Sequence, residues 1–214
     1  MNNSAERVEA ACTSLGLAPS TAQLNALQAY LELLQRWNAT YNLTAVRDPR
    51  AMVTQHLADC LAVLGPLQQR CQQGRVLDVG SGGGLPGVVL AVMQPALDIT
   101  CVDAVGKKAA FIRQVSAQLK LPNLHAAHAR VQDIRLPPFD LITSRAFASL
   151  ADFTAWTEKH LGAGGVWMAM KGKIPTDESA VLPQEIEMFH VEPLRVPGLE
   201  ADRCLVWMRK RTAA

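Results

Sequence analysis

Apolar residues recur at helical spacing through the first third of the chain, and the pattern then changes to short β-like runs separated by helical ones. Over residues 5–15, Val8, Ala11, Cys12 and Leu15 form one stripe, which Gly16 would end. Ser20 or Thr21 can cap a second helix in which Leu24, Leu27, Leu31, Leu34 and Trp37 recur three and four apart. Asp48-Pro49 offers a third helix start, with Met52, Val53, Leu57, Leu61 and Leu64 as its apolar side. Residues 76–79 and 99–103 then read as strands, a helix runs from Gly106 through Phe111, Ile112, Val115 and Leu119, and residues 124–131 form a weaker third strand. Residues 139–145 are a fourth strand; Leu150, Phe153, Thr154 and Leu161 suit a helix, and residues 164–170 suit a fifth strand. Residues 189–196 and 203–208, joined through Pro197-Gly198, read as a closing antiparallel hairpin.

Alternating strands and helices predict an α/β fold with a Rossmann-like, mostly parallel sheet, a C-terminal antiparallel strand and an N-terminal helical addition. Residues 1–72 would be a helical segment packed on the core and residues 73–214 the Rossmann-like domain. Between the first strand and the helix over residues 88–93 lies Asp78-Val79-Gly80-Ser81-Gly82-Gly83-Gly84-Leu85-Pro86-Gly87. Its glycines allow a tight turn and close approach of a ligand to the backbone, and Pro86 suits a first helical turn. The unpaired N–H groups of that helix start favour a polar or anionic part of a nucleotide-like ligand.

Two templates fit this loop. Gly82-x-Gly84-x-x-Gly87 satisfies the dinucleotide fingerprint, with Asp103 about twenty residues on as the ribose acid. Asp78-x-Gly80-x-Gly82-x-Gly84 is the pattern of Rossmann-like S-adenosylmethionine enzymes, and it also uses Asp78, whose partner would be the cofactor's ammonium. The alternative for Asp78 is a cap on the following turn, and for Asp103 a helix N-cap. Arg145 ends the fourth strand on the same side of the sheet as the loop, where open α/β sheets bind ligands. The expected antiparallel hairpin favours the methyltransferase sheet over an all-parallel dinucleotide fold.

Composition narrows the class further. The chain has 49% hydrophobic and 19% charged residues, as expected of a well-cored domain, and no apolar run approaches membrane length. No secretory signal opens it, and five scattered cysteines without a C-x-x-C pair suggest reduced thiols, a cytoplasmic setting and no zinc site. His56 and Asp59 lie three apart on one helix face, which suits a hydrogen-bonded pair better than a metal. No heptad seam demands a dimer, so a monomer is expected. A net charge of +2 points to no polyanion by itself, but Lys107, Lys108, Arg145, Lys171 and Lys173 would cluster on one rim able to hold phosphates, unless they are ordinary solvated element ends. The polar and aromatic stretch over residues 37–47 could line a pocket, or could be a helix end with Trp37 and Tyr41 packing on the core.

The motifs Trp37-Asn38-x-x-Tyr41-Asn42-Leu43-Thr44, His56-x-x-Asp59, the Asp78 to Gly87 loop, Ser144-Arg145-Ala146-Phe147-Ala148 and Met170-Lys171-Gly172 together resemble the bacterial ribosomal RNA small-subunit methyltransferase G family, formerly glucose-inhibited division protein B. The resemblance spans roughly residues 20–210 and implies transfer of a methyl group from S-adenosylmethionine to N7 of guanosine 527 in 16S rRNA, presented as rRNA or as a small-subunit precursor. It places cofactor contacts on Gly80, Leu85, Val131, Gln132 and Arg145, to which the loop reading adds Asp78, Gly82 and Asp103. Gln132 departs from the Glu of many members, which affects a side-chain contact there but not a backbone one. Candidate RNA contacts are Tyr41, Asn42, Arg47, Lys107, Phe147, Lys171 and Lys173, with Tyr41 or Phe147 stacking on the base. N7 carries a lone pair and no proton, so no general base is required, and Arg145 is expected to position the cofactor or an RNA phosphate. The Asn/Asp-Pro-Pro-aromatic motif of exocyclic amine methylation is absent after the fourth strand. A small-molecule methyltransferase and a non-catalytic RNA- or nucleotide-binding module remain the alternatives.

Overall fold

The computed structural model describes residues 4–145 and 148–211. Helices α1 (Ser4–Ser14) and α2 (Thr21–Tyr41) lie where the apolar stripes predict them. Ser20 is the N-cap of α2: its hydroxyl accepts from the Gln23 N–H while the Gln23 side chain accepts from the Ser20 N–H, a reciprocal capping box. Asp48 caps α3 (Pro49–Met52) by accepting from the Ala51 N–H. The predicted single helix is not regular beyond that point. It widens into a π-helical stretch over Val53–Ala58 and returns to α-helix at α4 (Asp59–Leu61), with α5 (Leu64–Gln68) following. A π turn inserts extra residues into the helical register, so the apolar stripe continues while its polar face is re-aimed.

Strands and helices then alternate: β1 (Gly74–Val79), α6 (Gly87–Met93), β2 (Leu97–Asp103), α7 (Gly106–Leu119), β3 (Leu124–His128), β4 (Phe139–Arg145), α8 (Leu150–Thr157), β5 (Leu161–Lys171), α9 (Thr176–Ala180), β6 (Ile186–Pro193) and β7 (Cys204–Lys210). Among the described residues, seven strands form one sheet in the order β3-β2-β1-β4-β5-β7-β6. The first five pair in parallel, and β7 runs antiparallel between β5 and β6. The closing hairpin is therefore present, with β7 inserted beside β5. Strand order reverses at the β1/β4 junction, which sets the place where a ligand crevice opens.

Several expected boundaries move, three of them for reasons that strand pairing makes plain. The third strand stops at His128, where pairing with Asp103 ends, and Val131–Asp133 forms a 3-10 turn. The helix containing Leu150 ends at Thr157, because Leu161 pairs with Phe139 as the first residue of β5, and a register shift between Phe139 and Leu141 absorbs the intervening glycines. The penultimate strand begins three residues earlier than its apolar run suggests, carried by pairing of Ile186 with Lys210 and a bulge between Met188 and His190.

The pleat sorts each strand between two cores. Val76, Ile99, Leu141, Met168 and Trp207 face one, where α2, α6, α7 and the N-terminal helices add Leu27, Leu31, Leu34, Leu57, Val89 and Phe111. Leu77, Val102, Ile142, Trp167 and Val206 face the other, covered by Leu150 and Phe153 of α8. The N-terminal helices thus share one continuous core with a sheet face. The Gln23 side-chain amide tightens this contact by donating to the carbonyls of Val92 and Met93, at the C-terminal end of α6.

Two buried polar contacts hold the glycine loop between these layers. The Tyr30 hydroxyl of α2 donates to the Gly83 carbonyl at 2.7 Å. Asp78, fully buried, accepts from the Gly87 N–H at 2.9 Å and from the Cys101 thiol at 3.8 Å, while its other oxygen has no partner. A side chain at Gly87 would run into Cys101 Sγ and the Asp78 carboxylate, so the close approach requires glycine. Burial pushes the Asp78 pKa from 3.8 up to about 7, offset in part by the Gly87 N–H and the charge of Arg145.

Two predictions follow from these anchors. Tyr30→Phe leaves a buried carbonyl without its donor and should cost about 1–2 kcal/mol in urea unfolding. For Asp78 the folded pKa lies above the unfolded one, so its contribution to stability is complete below about pH 4 and is lost as pH rises through about 7. Asp78→Asn, which keeps an acceptor for Gly87, should therefore become progressively more stable relative to wild type as pH rises over that range. A pH-independent difference in urea midpoint would contradict this.

Candidate active site

Two cavities open at the carboxyl ends of β1, β2 and β4 and meet at Gly80. The larger, about 550 Å³, is bordered by Gly80 to Gly83 and Leu85 of the glycine loop, by Leu43, Thr44, Gln55, His56 and Asp59 of the N-terminal segment, by Arg145, Met170 and Lys171 of the sheet, and by Arg203 just before β7. The smaller, about 300 Å³, lies between Val79, Val102, Asp103, Ala104 and residues 129–132, with Trp156 of α8 on its flank. Positive φ at Gly82 lets the loop turn so that its N–H donates to Asp103 at 3.0 Å. The second Asp103 oxygen accepts from the Val105 N–H at 2.8 Å, and Lys108 stands 3.7 Å from the first, so this acid braces the turn before α7, whose N-cap is Val105, while bordering the smaller cavity.

The larger cavity is organised around Asp59. One of its oxygens accepts from Arg145 Nη1 at 3.2 Å and the other from Arg203 Nε at 3.0 Å, and the carboxylate is only 4% exposed. Arg145 also donates to the Gln55 carbonyl at 3.0 Å and lies 3.4 Å from His56 Nδ1 through both terminal nitrogens. His56 Nε2 is 2.6 Å from the Thr44 hydroxyl. Burial, reinforced by the Arg145 charge, lowers the His56 pKa to about 4, so the ring is neutral near pH 7. One carboxylate between two guanidinium groups leaves an excess of positive charge at this wall.

The structure brings together several of the expected site residues. Gly80, Gly82, Leu85, Asp103, Val131, Gln132 and Arg145 border one cavity or the other, or build the loop between them. The Val131 carbonyl accepts from His160 Nε2 at 2.7 Å and the Gln132 carbonyl from Lys159, which fixes the 3-10 turn. Asp78 borders neither cavity, because its carboxyl is turned under the loop towards Gly87. His56 and Asp59 share a face as their spacing predicts, but they meet through Arg145 rather than as a simple pair.

The predicted basic rim is largely neutralised. Lys171 is held by both oxygens of Glu178 at 2.9 Å, Arg145 by Asp59 and Lys108 by Asp103, leaving Lys107 and Lys173 exposed. Tyr41 is exposed and rests on Trp37 with ring centroids 5.0 Å apart, so aromatic packing and exposure coexist there. Asn42 ends α2 in the left-handed region and accepts from Arg47 at 2.6 Å, outside the cavities. Phe147 lies outside the described residues.

Sequence reasoning did not single out Thr44 alone, Gln55, Arg203 or Trp156. Arg203 read only as the start of a strand, and its contact with Asp59 spans 144 residues, a separation that no local pattern reports. Among the described residues no group of three or more His, Cys, Asp or Glu stands together as a metal site, and no helix is long and apolar enough to cross a membrane.

Similarity to solved structures is consistent with this architecture. TrmN from Thermus thermophilus aligns with a TM-score of 0.56 at 17% identity, covering 71% of this chain and 49% of that one. The ribosomal protein L11 methylase of Lactobacillus delbrueckii subsp. bulgaricus aligns with a TM-score of 0.54 at 16% identity, over 71% and 77%. These support the methyltransferase fold. Sequence similarity is much stronger. A protein of Leptothrix cholodnii named ribosomal RNA small subunit methyltransferase G is 57% identical over 96% of this chain and 95% of its own length. A protein of the same name from Paracidovorax citrulli is 53% identical over 97% and 90%. A sequence profile described as rRNA small subunit methyltransferase G matches residues 23–206. With the Asp78 to Gly87 loop and the Arg145 wall in one connected crevice, the chain belongs to the rRNA small subunit methyltransferase G family.

Proposed function

We propose that the protein transfers a methyl group from S-adenosylmethionine to N7 of a single guanosine in 16S rRNA. The observation that carries this reading is the pair of cavities joined at Gly80, one bounded by an acid and an apolar flank and the other by a glycine loop and a cationic wall. The cofactor fits the donor set. Asp103 suits ribose hydroxyls, the 129–132 turn and Trp156 suit the adenine, and the loop at Gly80, Gly82 and Leu85 suits the methionine portion. When bound there, S-adenosylmethionine supplies a methyl group on a sulfonium sulfur.

The protein's own part is placement. Asp78 acts from beneath the loop by fixing Gly87 rather than by touching ligand. Arg145, anchored on three sides, presents its remaining N–H groups to a cofactor carboxylate or an RNA phosphate. Neither His56 nor Asp59 is available to remove a proton: the imidazole faces Arg145, and the carboxylate is engaged by two arginines. That suits N7, whose lone pair attacks without losing a proton, so orientation and exclusion of water supply most of the acceleration. Arg47, Lys107 and Lys173 are exposed cations able to meet RNA phosphates, and Lys171 would join them on exchanging Glu178 for phosphate.

The reading is tested by methyl transfer from labelled S-adenosylmethionine to small-subunit particles and to deproteinised rRNA, both from cells lacking this gene. N7-methylguanosine at one position is expected, with an apparent RNA affinity that falls as salt rises. Cofactor binding without transfer to either RNA form would favour a small-molecule or non-catalytic role instead.

A further inference from the structure

The segment that follows β5 is lightly attached to the rest of the fold. From Gly172 to Glu185 no residue is buried, and Ile174 and Val181 stand 56% and 66% exposed. Leu182 packs partly against the second core, and the short helix α9 is anchored through the carboxylate of Glu178. Both Glu178 oxygens accept from Lys171 Nζ at 2.9 Å, and one of them also accepts from the Leu150 N–H at 2.6 Å. Lys171 ends β5 and Leu150 opens α8, so the carboxylate is seated where a strand-end cation and a helix N-terminus converge. Partial burial works against its charge, but the Lys171 ammonium and the Leu150 N–H outweigh that cost and hold the Glu178 pKa below the usual carboxylate value. A third polar group belongs to this seat. Ser144 of β4 is 4% exposed, and its hydroxyl has no hydrogen-bond partner among the described residues. It lines a cavity of about 10 Å³ together with Ala148, Leu150 and Lys171. Lys171 also borders the larger cavity, which puts the seat on that cavity's wall.

We propose that this seat is a binding site for a phosphodiester of the substrate RNA, occupied in the free protein by Glu178, which the RNA backbone displaces together with α9. This rests on the rRNA methyltransferase reading above and deepens it. A carboxylate and a phosphodiester each carry one negative charge and two oxygens able to accept, so Lys171 and the Leu150 N–H keep a partner through the exchange. The Ser144 hydroxyl adds a donor that the Glu178 carboxylate does not use. Release costs little, because a partly exposed lysine–carboxylate pair is weak and α9 has no buried residue to expose. The tether makes the seat selective. Glu178 competes from within the same chain, which shuts out an isolated phosphate ion, whereas an RNA strand already held by Arg47, Lys107 or Lys173 presents its next phosphate at comparable effective concentration.

The test compares wild type, Glu178→Gln, Lys171→Met and the double variant for affinity to small-subunit particles from cells lacking this gene, with Asp177→Asn as a charge control on the same helix. Glutamine keeps an acceptor for the Leu150 N–H while removing the charge that holds Lys171. Glu178→Gln should tighten binding about threefold to fivefold, and Asp177→Asn by less than about twofold. Once Lys171 is methionine, the Glu178 change should alter affinity by less than about twofold, and the slope of log affinity against log salt should be shallower by about one than for Glu178→Gln alone. Hydrogen exchange on wild type gives a reading that needs no variant: amides of residues 176–181 should exchange faster when particles are bound. Equal effects of Glu178→Gln and Asp177→Asn, a Glu178 effect that persists without Lys171, or slower exchange over residues 176–181 in the complex would overturn the exchange while leaving the product intact. Absence of N7-methylguanosine from the wild-type reaction would instead overturn the underlying reading and this one with it.

Discussion

A single buried carboxylate, Asp59, holds the crevice together. It lies between Arg145 at the end of β4 and Arg203 just before β7, so three distant parts of the chain converge on one group. Burying an acid costs free energy unless it is paired and its oxygens are satisfied. Here both oxygens accept from guanidinium groups, and the compensation also fixes where those cations stand. Without the acid, two partly buried arginines would repel each other at the cavity wall. The N-terminal segment is thus part of the site, since its helices supply Asp59 and His56 and one layer of the core, and the loop between α2 and α3 supplies Thr44.

The opposite wall depends on a different constraint, the placement of a glycine loop with few side chains of its own. Tyr30 holds the loop from above through Gly83, and Asp78 holds it from below through Gly87. Their positions couple the loop to α2 and to the sheet, so the glycine-loop side of the crevice is preorganised by layers that also form the core. The result is a site rich in positioning groups and poor in groups free to take a proton. That balance matches a methyl acceptor with an available lone pair.

Much of this was legible in the chain itself. The alternation of apolar runs set the strand order's raw material, and the Asp78 to Gly87 segment marked the ligand-binding end of β1 because only glycines could make that turn. Ser20 and Asp48 announced their helix starts through capping chemistry that acts over three residues. What the sequence could not report acts over longer distances. The π-helical widening at Val53–Ala58 leaves the apolar stripe intact, so periodicity continued straight through it. Leu161 looked helical by spacing, yet its pairing with Phe139 decided its state. Asp78 reads as an acid in need of partners, and the long-range fold supplies one of them, the Gly87 N–H, to a single oxygen. Lys171 looked like a free cation until Glu178, seven residues on, was brought back against it.

The most direct test of the claim that Asp59 assembles the site is a double-mutant cycle on methyl transfer to small-subunit particles, using Asp59→Asn and Arg145→Ala singly and together. If the acid acts by holding Arg145, Asp59→Asn alone should lower kcat/KM by about tenfold or more, and it should cost far less once Arg145 is gone, a coupling on the order of 1–3 kcal/mol. Losses that simply add would contradict the account, because each residue would then be contributing independently of the other.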